Sequence, residues 1–487
     1  MTGNLLERPF ATLAELRTVG DAAVLEQRPE PGRPRTYHFP PFHRERLDNG
    51  LTVIHAHLPG RPLLSAQLLI LDGAASEPPD RAGVTALTMR ALTEGTSRRS
   101  AIELIEAAER LGAEIHADAG WESSQVSIDV PRSRLPQALA LLAETVLQPS
   151  FPEAEVSRLR EERLNDLLQA IAEPRRRVER AFAETVYAPS SPFSRPLAGS
   201  AETVEALGRR EVREQHAQLL DPGSATLVVA GDLDGVPLVE MARSAFGDWM
   251  SDSRAAAATR GPVDDQPNPA GPRWVLVDRP GSPQTELRIG HVGLARNIPD
   301  FHAVVVMAAI LGGLFNSRLN RLLREERGYT YGVSATFDLR RSTGPFVTRT
   351  AVQTEVTRPA VEDILSELRR IGKAPPESAE LQEARDYLVG VFPLRFEAPS
   401  QVVAAIAGLV LYGLPDDELD RYRPAVGALT EAEVLAAAGH VRAEEASIVM
   451  VGDAARVLPE LEGAGFGPVE VIRDPDPAEL AEAALGS

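Results

Sequence analysis

Apolar and polar residues alternate along this chain with two periods, one typical of strands and the other typical of helices. Strand patterns are predicted at residues 51–55, 64–71, 114–119, 124–130 and 226–230. Helix patterns are predicted at residues 134–147, 153–172, 178–187, 208–219 and 431–440. Strands in runs, followed by helices, favour an α+β fold in which helices cover one face of each sheet.

A pattern that closes the first half of the chain is repeated near the end of the second. LVVAGD, residues 227–232, and IVMVGD, residues 448–453, each follow a helix-rich stretch. The segments QPSFPEAEVSRLREE and KAPPESAELQEARDY also correspond. This duplication predicts two homologous halves joined by a linker rich in Ala, Pro and Gly. The expected divisions are an extension at 1–44, a first half at 45–250, the linker at 251–273, a second half at 274–475 and a tail at 476–487.

The composition of the chain argues against several classes of function. The 487 residues include 51 Lys and Arg against 70 Asp and Glu, and this net charge of −19 repels phosphate backbones, so no nucleic acid partner is expected. The absence of cysteine excludes disulfides and thiolate zinc sites. The longest apolar stretch, 303–315, is shorter than the ~18 residues of a membrane span and is expected to be a buried helix. The N-terminus lacks a secretory pattern, so we expect a cytoplasmic protein with no membrane association.

The segment LGGLFNSRLNRLLREERGYTYG, residues 311–332, carries the most specific pattern in the chain. Asn316 or Ser317 is expected to cap a helix whose leucines recur at three- and four-residue spacing. Gly328 is placed to end that helix as a left-handed residue. The residues after it, from Tyr329 to Phe337, alternate as a strand with the two tyrosines on one face.

Arg324 in the last helical turn and Tyr331 in the strand are therefore expected on opposite sides of one chain reversal. A cation and a phenol at this spacing can converge on one open space. An ordinary interpretation also exists, because an arginine near a helix C-terminus complements the helix dipole and tyrosine is common in strands.

The whole segment resembles the C-terminal half of the pitrilysin/insulinase metallopeptidases, the inverzincins. The resemblance extends over roughly residues 45–470 and implies an α+β fold of two homologous halves, which together form one half of a hollow clamshell. In that family an Arg and a Tyr at this spacing help to hold the scissile peptide. The resemblance therefore implies that Arg324 and Tyr331 act on substrate, and such donors are suited to stabilising a developing oxyanion.

The zinc motif of that family is missing from the corresponding helix. The family has H-x-x-E-H on this helix, two imidazoles binding Zn²⁺ and a Glu acting as general base. Here Ala86 and Arg90 stand at the two histidine positions and Met89 stands at the base position. Asp166 stands where the resemblance places the third ligand. Since Ala has no donor atom and Arg adds positive charge, we expect no metal and no cofactor in this chain.

The resemblance favours the zinc-less subunit of a heterodimeric endopeptidase. A separate H-x-x-E-H subunit would bind zinc and hold unfolded peptides by strand addition, while Arg324 and Tyr331 would act in trans. No activity is expected from this chain alone. The alternatives are a non-catalytic scaffold or peptide-binding protein that keeps the fold, and an autonomous hydrolase with a different metal set.

Three histidines are further candidates for a functional role. His55 and His57 lie on one face of a strand, but no third metal ligand is placed beside them by the sequence. His116 lies in a possible edge strand and could line a peptide groove. For all three residues a surface or structural role is the simpler interpretation.

Overall fold

The computed structural model describes residues 32, 35–250, 263–463 and 467–474. The described residues from His38 onward form one compact unit. Most of the predicted extension, most of the predicted linker and the whole predicted tail lie outside the described residues. The division into residues 45–250 and 274–475 stays a prediction.

The first half of the chain contains one six-stranded sheet and the helices around it. Its strands are β1 (Phe42–Arg46), β2 (Thr52–His57), β3 (Leu63–Ile70), β4 (Ile115–Ala119), β5 (Ser124–Pro131) and β6 (Ala225–Gly231). Its helices are α1 (Val84–Ala91), α2 (Ala101–Glu109), α3 (Leu135–Leu147), α4 (Glu153–Ala172), α5 (Pro174–Val186), α6 (Ala201–Glu205), α7 (Arg209–Leu219) and α8 (Leu238–Phe246). Helix α5 begins four residues before the predicted start because Pro174 takes its first turn, where proline is favoured.

The second half contains the other six-stranded sheet. Its strands are β7 (Trp274–Asp278), β8 (Gln284–Val292), β9 (Val333–Phe337), β10 (Pro345–Gln353), β11 (Ser447–Gly452) and β12 (Val469–Arg473). Its helices are α9 (Phe301–Ala308), α10 (Arg318–Asn320), α11 (Thr357–Ile371), α12 (Ser378–Val391), α13 (Pro399–Tyr412), α14 (Glu418–Ala428), α15 (Glu431–Ala437) and α16 (Ala454–Gly463). Two π-helical turns, Ala309–Gly313 and Arg321–Glu326, extend α9 and α10.

The two sheets have the same internal strand order, as expected for homologous halves. The orders are β1-β2-β6-β3-β5-β4 and β12-β7-β11-β8-β10-β9. The repeated sequences LVVAGD and IVMVGD lie in β6 and β11, which occupy the same place in the two sheets. One outer strand differs, since β1 pairs antiparallel with β2 whereas β12 pairs parallel with β7. The predicted α+β fold of two homologous halves is confirmed.

Helices cover both faces of the central strands, so the prediction of a single covered face was wrong. Every residue of β6 and β11 is buried. The physical cause is an exchange of helices between the halves. Helix α5 packs on β8 and β11 of the second sheet, while α13 packs on β3 and β6 of the first. Residues of α5 and valines of the second sheet form one apolar core cluster. The two halves therefore share their cores.

Within the part of the chain that the structure describes, the helical stretch Phe301–Glu326 has the length and hydropathy of a membrane span. More than half of its most apolar window is buried inside the protein, and α9 packs against other helices of the second half. The core helix of a folded domain has the same properties. The stretch 303–315 is thus mostly a buried helix, as the sequence indicated.

Candidate functional site

The helix predicted within residues 311–332 forms and has an unusual winding. Ser317 is its N-cap residue, and α10 continues directly into the π-helical turn Arg321–Glu326. Gly328 follows at φ +68°, which confirms the left-handed end that the sequence predicts. The Tyr329 amide then donates to the Leu323 carbonyl at 2.9 Å. The wide turn ends the helix and reverses the chain towards β9.

Arg324 lies in this π-helical turn and is held by its neighbours. Its guanidinium carbon lies 3.5 Å from the centroid of the Phe315 ring, a cation–π contact. Its Nη2 donates to Glu325 at 2.7 Å and approaches the Phe315 carbonyl at 3.4 Å. Phe315 is itself largely exposed. Arg324 is therefore held in one place at the protein surface.

Tyr331 lies just before β9, which begins at Val333, so the prediction that Tyr329 and Tyr331 belong to the strand was wrong. The physical reason is that Thr330 turns the backbone: its hydroxyl accepts from the Gly332 amide at 3.1 Å and lies 2.9 Å from the Gly332 carbonyl. The side chain of Tyr331 projects into solvent, with 96% of the residue exposed. Its phenol is thus available to a ligand.

The backbone around Tyr331 is fixed from two sides. The buried Asn320 carboxamide donates to the Val333 carbonyl at 2.8 Å and accepts from the Val333 amide at 3.1 Å. The Thr350 hydroxyl on β10 lies 3.0 Å from both the Thr330 hydroxyl and the Gly332 carbonyl. Asn320 thereby joins the helix that carries Arg324 to the strand that follows Tyr331. The sequence reasoning missed this residue, because an asparagine inside a helix pattern gives no signal of a partner thirteen residues later.

The three residues at the motif positions lie on α1 and differ in their exposure. Met89 is 1% exposed and belongs to the apolar core of the first half. Ala86 is partly exposed, and Arg90 is exposed and donates to Glu162 of α4 at 3.0 Å. Ala86 and Arg90 supply no donor atom for a metal ion, and the thioether of Met89 is buried in the apolar core. A guanidinium group lies where a second imidazole would stand.

Asp166 on α4 is fully engaged by arginines. Arg176 donates to both of its carboxylate oxygens, at 2.8 and 2.9 Å, and Arg163 also donates to it. The hydrogen bonds from Arg176 hold the pKa of Asp166 below its usual value. Among the described residues, no cluster of three or more His, Cys, Asp or Glu side chains is arranged to hold a metal ion.

The start of α1 depends on a residue that the sequence reasoning did not consider. Glu77, which is 6% exposed, accepts from the Gly83 amide at 2.8 Å and the Thr85 amide at 2.6 Å. Burial raises the pKa of this carboxyl. Gly83 has φ +95°, so the chain bends before the helix and brings Glu77 back to its N-terminus. This carboxylate therefore caps the helix and is no metal ligand.

The candidate histidines are separated by the fold. His55 pairs across strands with His43, with ring centroids 5.4 Å apart, and burial followed by the charge of His43 lowers the pKa of His55. His57 accepts from the Leu233 amide at 3.0 Å. His116 lies on β4, which is an edge strand as the sequence indicated, and it is exposed. The structure thus places two histidines together, but the pair involves His43 rather than His57.

Two family models match the chain. The insulinase model of peptidase family M16 matches residues 52–200, and the model of the peptidase M16 inactive domain matches residues 206–388. Together they cover strands of both sheets and include Ala86, Asp166, Arg324 and Tyr331. This chain belongs to the insulinase family of peptidases, M16, as the sequence predicted.

Relatives of known sequence and structure agree with this assignment. An uncharacterized zinc protease of Mycobacterium tuberculosis is 28% identical over 304 residues, which is 62% of this chain and 68% of that protein. A non-peptidase homolog of Helicobacter pylori is 21% identical over 381 residues, covering 77% of this chain and 85% of that protein. The crystal structure of a peptidase M16 inactive domain from Pseudomonas fluorescens superposes with a TM-score of 0.76 at 24% identity, over 85% of this chain and 98% of the other. A Helicobacter pylori protease structure superposes at 0.79 with 16% identity, over 85% of this chain and 100% of the other.

Proposed function

We propose that this chain is the zinc-less subunit of a heterodimeric zinc endopeptidase. Its partner would be a separate H-x-x-E-H subunit that binds Zn²⁺ and activates water for attack on the peptide bond. This chain would supply Arg324 and Tyr331 in trans and close the opposite wall of a chamber. Unfolded peptides are the proposed substrates, and the cytoplasm is the proposed location.

The observation that carries this proposal is the exposure of Tyr331 in the chain reversal that follows the helix of a fixed arginine, Arg324. The ring of Tyr331 is 96% exposed, although Asn320 and Thr350 fix the backbone on its C-terminal side. Stacking on Phe315 holds Arg324 in the helical turn that precedes the same chain reversal. A guanidinium that is fixed before substrate arrives, and a phenol carried on a fixed backbone, need little reordering to stabilise an oxyanion.

The hydrogen-bond donors of Tyr331 and Arg324 suit different parts of the reaction. The Tyr331 hydroxyl has one hydrogen to donate to the carbonyl oxygen as it gains negative charge. The Arg324 guanidinium has several, so it can hold a backbone carbonyl before and during attack. Neither residue can activate water, because an arginine stays protonated and a tyrosine is a weak base at neutral pH. The nucleophile must therefore come from the partner.

A second candidate function is a peptide-binding scaffold without a catalytic role. The observation that favours it is the present engagement of Arg324, which already bonds Glu325 at 2.7 Å and stacks on Phe315. The similarity to a non-peptidase homolog of Helicobacter pylori points the same way. Under this alternative Arg324 and Tyr331 would serve packing or peptide binding only.

Reconstitution tests the proposal against the scaffold alternative. The chain and an H-x-x-E-H partner would be purified separately, and hydrolysis of an unfolded peptide would be measured with each chain alone and with both. The proposal expects little activity from either chain alone and full activity from the mixture. If the partner alone cleaved the peptide as fast as the mixture, this chain would have no catalytic role. Equal activity of this chain alone and the mixture would contradict the division of labour.

A further inference from the structure

A cavity of about 330 Å³ lies beside Asp166, between the C-terminal part of α4, helix α5 and the segment 195–197. Part of its wall is apolar and includes Trp121, Leu167, Ile171 and Leu197. This volume is at the small end of ligand-binding cavities and fits one amino-acid side chain with its backbone. The apolar wall alone would accept any hydrophobic group.

The rest of the wall is strongly basic, in a chain whose net charge is −19. Five arginines line the cavity against a single carboxylate, Glu179; they are Arg163, Arg176, Arg177, Arg180 and Arg195. Glu179 already accepts from Arg288 and Arg349, two arginines that do not line the cavity. Its charge is therefore not available to neutralise the five.

The five arginines are only partly balanced by carboxylates behind them. Arg163 and Arg176 share Asp166, Arg177 binds Asp474, and Arg180 binds Glu184. The cavity therefore has two more guanidinium groups than carboxylates paired with them.

Two of the guanidinium groups have unused donors. Arg195 donates to the carbonyl of Glu77 at 3.0 Å, while the Glu77 carboxylate caps α1 instead. Arg177 is 7% exposed, and within the part of the chain that the structure describes its Nη1 has no hydrogen-bond partner. Buried guanidinium donors without an acceptor are costly, so an anionic ligand would be stabilising here.

We propose that this cavity binds a carboxylate carried on an apolar group, and that the carboxylate is the C-terminus of a peptide. A guanidinium group forms two parallel hydrogen bonds with a carboxylate, while the apolar wall fits the last side chain of the peptide. The peptide source rests on the function proposed above. Because Arg163 and Arg176 also hold Asp166, the site lies next to the positions where catalytic relatives would bind zinc.

Calorimetry on this chain alone tests the proposal without a partner or an activity assay. The probes are an acetylated peptide ending in leucine with a free carboxylate, the same peptide with a C-terminal amide, and hexanoate. We expect the free carboxylate to bind about 10–100-fold more tightly than the amide, since a charge-assisted hydrogen bond is lost. Hexanoate should bind at least ~10-fold more weakly than the free peptide, because it lacks the backbone groups.

Matched arginine variants test whether the peptide binds in this cavity. Arg195→Gln should weaken binding of the free-carboxylate peptide about 10-fold, because it removes one cavity cation that has no hydrogen-bonded carboxylate partner. Arg175→Gln on α5 is the control, since Arg175 is exposed and does not line the cavity. If Arg195→Gln fails to fold, Arg180→Gln replaces it, because its partner Glu184 is well solvated. Circular dichroism and Tm check the fold.

Three results would overturn the inference. Equal affinity for the carboxylate and the amide would exclude anion recognition. Equal loss in Arg195→Gln and Arg175→Gln would place binding elsewhere. Equal binding of hexanoate and the peptide would exclude a peptide C-terminus as the specific ligand. Failure of the heterodimer assay would leave all three readouts intact, so the two proposals can fail separately.

Discussion

The guanidinium carbon of Arg324 lies 3.5 Å from the centroid of the Phe315 ring, although Phe315 is one of the most exposed apolar residues in the described chain. An exposed phenylalanine normally gains little for the fold, whereas here it fixes the position of a cation. Phe315 precedes the N-cap of α10, and Arg324 lies in the π-helical turn that follows α10. The contact therefore links the two ends of the helix and presents both side chains on one surface.

Phe315→Ala should weaken substrate binding through Arg324. An exposed cation–π contact is worth about 0.5–1 kcal/mol, so the KM of the reconstituted heterodimer should rise about 2–5-fold with a small change in Tm. Steady-state kinetics on peptide substrate would measure the change. Phe315→Tyr keeps the ring and should behave as wild type. A wild-type KM in Phe315→Ala would show that the stacking does not position Arg324.

The purified chain should hold no stoichiometric zinc after dialysis, as measured by metal analysis. Restoring a site needs at least Ala86→His, Met89→Glu and Arg90→His together, and Asp166→Glu for reach. We expect even this variant to bind zinc poorly unless Arg176 is also replaced, because Arg176 occupies both oxygens of the third ligand. One tightly held zinc ion per wild-type chain would contradict the vacated-site interpretation.

Met89→Glu should also lower the stability of the restored variant, and Tm measurements can follow this loss alongside metal analysis. Met89 is 1% exposed in the apolar core, so a carboxylate there would be buried without a partner when no metal is bound. The Tm of the restored variant should therefore fall without zinc and recover only if zinc binds. Recovery of the Tm with zinc would distinguish a weak zinc site in a folded protein from a misfolded protein.

His291 should make stability fall as the pH drops below neutral. Its Nε2 accepts from the Arg442 amide at 3.0 Å and its Nδ1 lies 2.8 Å from the Val292 carbonyl, and burial lowers its pKa to about 4. Above pH 6.5 the imidazole is neutral in both the folded and the unfolded chain, so its contribution is fully present. Between pH 6.5 and about 4 only the unfolded chain takes up a proton, so stability is lost as pH falls, by on the order of 3 kcal/mol.

Urea unfolding at pH 7.5 and pH 4.5 tests whether the free energy of unfolding falls with pH as predicted. His291→Asn keeps a donor near Nδ1 and does not titrate, so its stability should fall less between the two pH values than that of wild type. His116→Gln, an exposed site on β4, is the matched control and should keep the wild-type pH dependence. An identical pH dependence in His291→Asn and wild type would exclude His291 as the titrating group.

Much of the fold follows from local sequence patterns. The continuous apolar runs of LVVAGD and IVMVGD indicate central strands, and both are buried along their whole length. The position of Gly328 at the helix end likewise follows from its local conformational freedom. The exchange of α5 and α13 between the sheets could not be predicted, because a helix pattern indicates an apolar face but not which sheet it covers.

The sequence identifies candidate residues for the site but does not give their geometry. The spacing of Arg324 and Tyr331 is visible in the sequence, whereas the stacking of Arg324 on Phe315 depends on a π-helical turn that no apolar period indicates. The start of β9 at Val333 depends on side-chain hydrogen bonds of Thr330 and Asn320. These bonds compete with strand pairing and leave Tyr331 outside the sheet.

Turnover of the reconstituted heterodimer with Tyr331→Phe tests the catalytic role most directly. The substitution removes one hydroxyl from a ring that is 96% exposed, so folding, Tm and assembly should be unchanged. Tyr387→Phe, another exposed tyrosine, is the matched control and should keep wild-type turnover. If Tyr331 donates to the oxyanion, kcat should fall about 10²–10³-fold at matched assembly. Wild-type kcat in Tyr331→Phe would contradict the account and leave this chain as a scaffold.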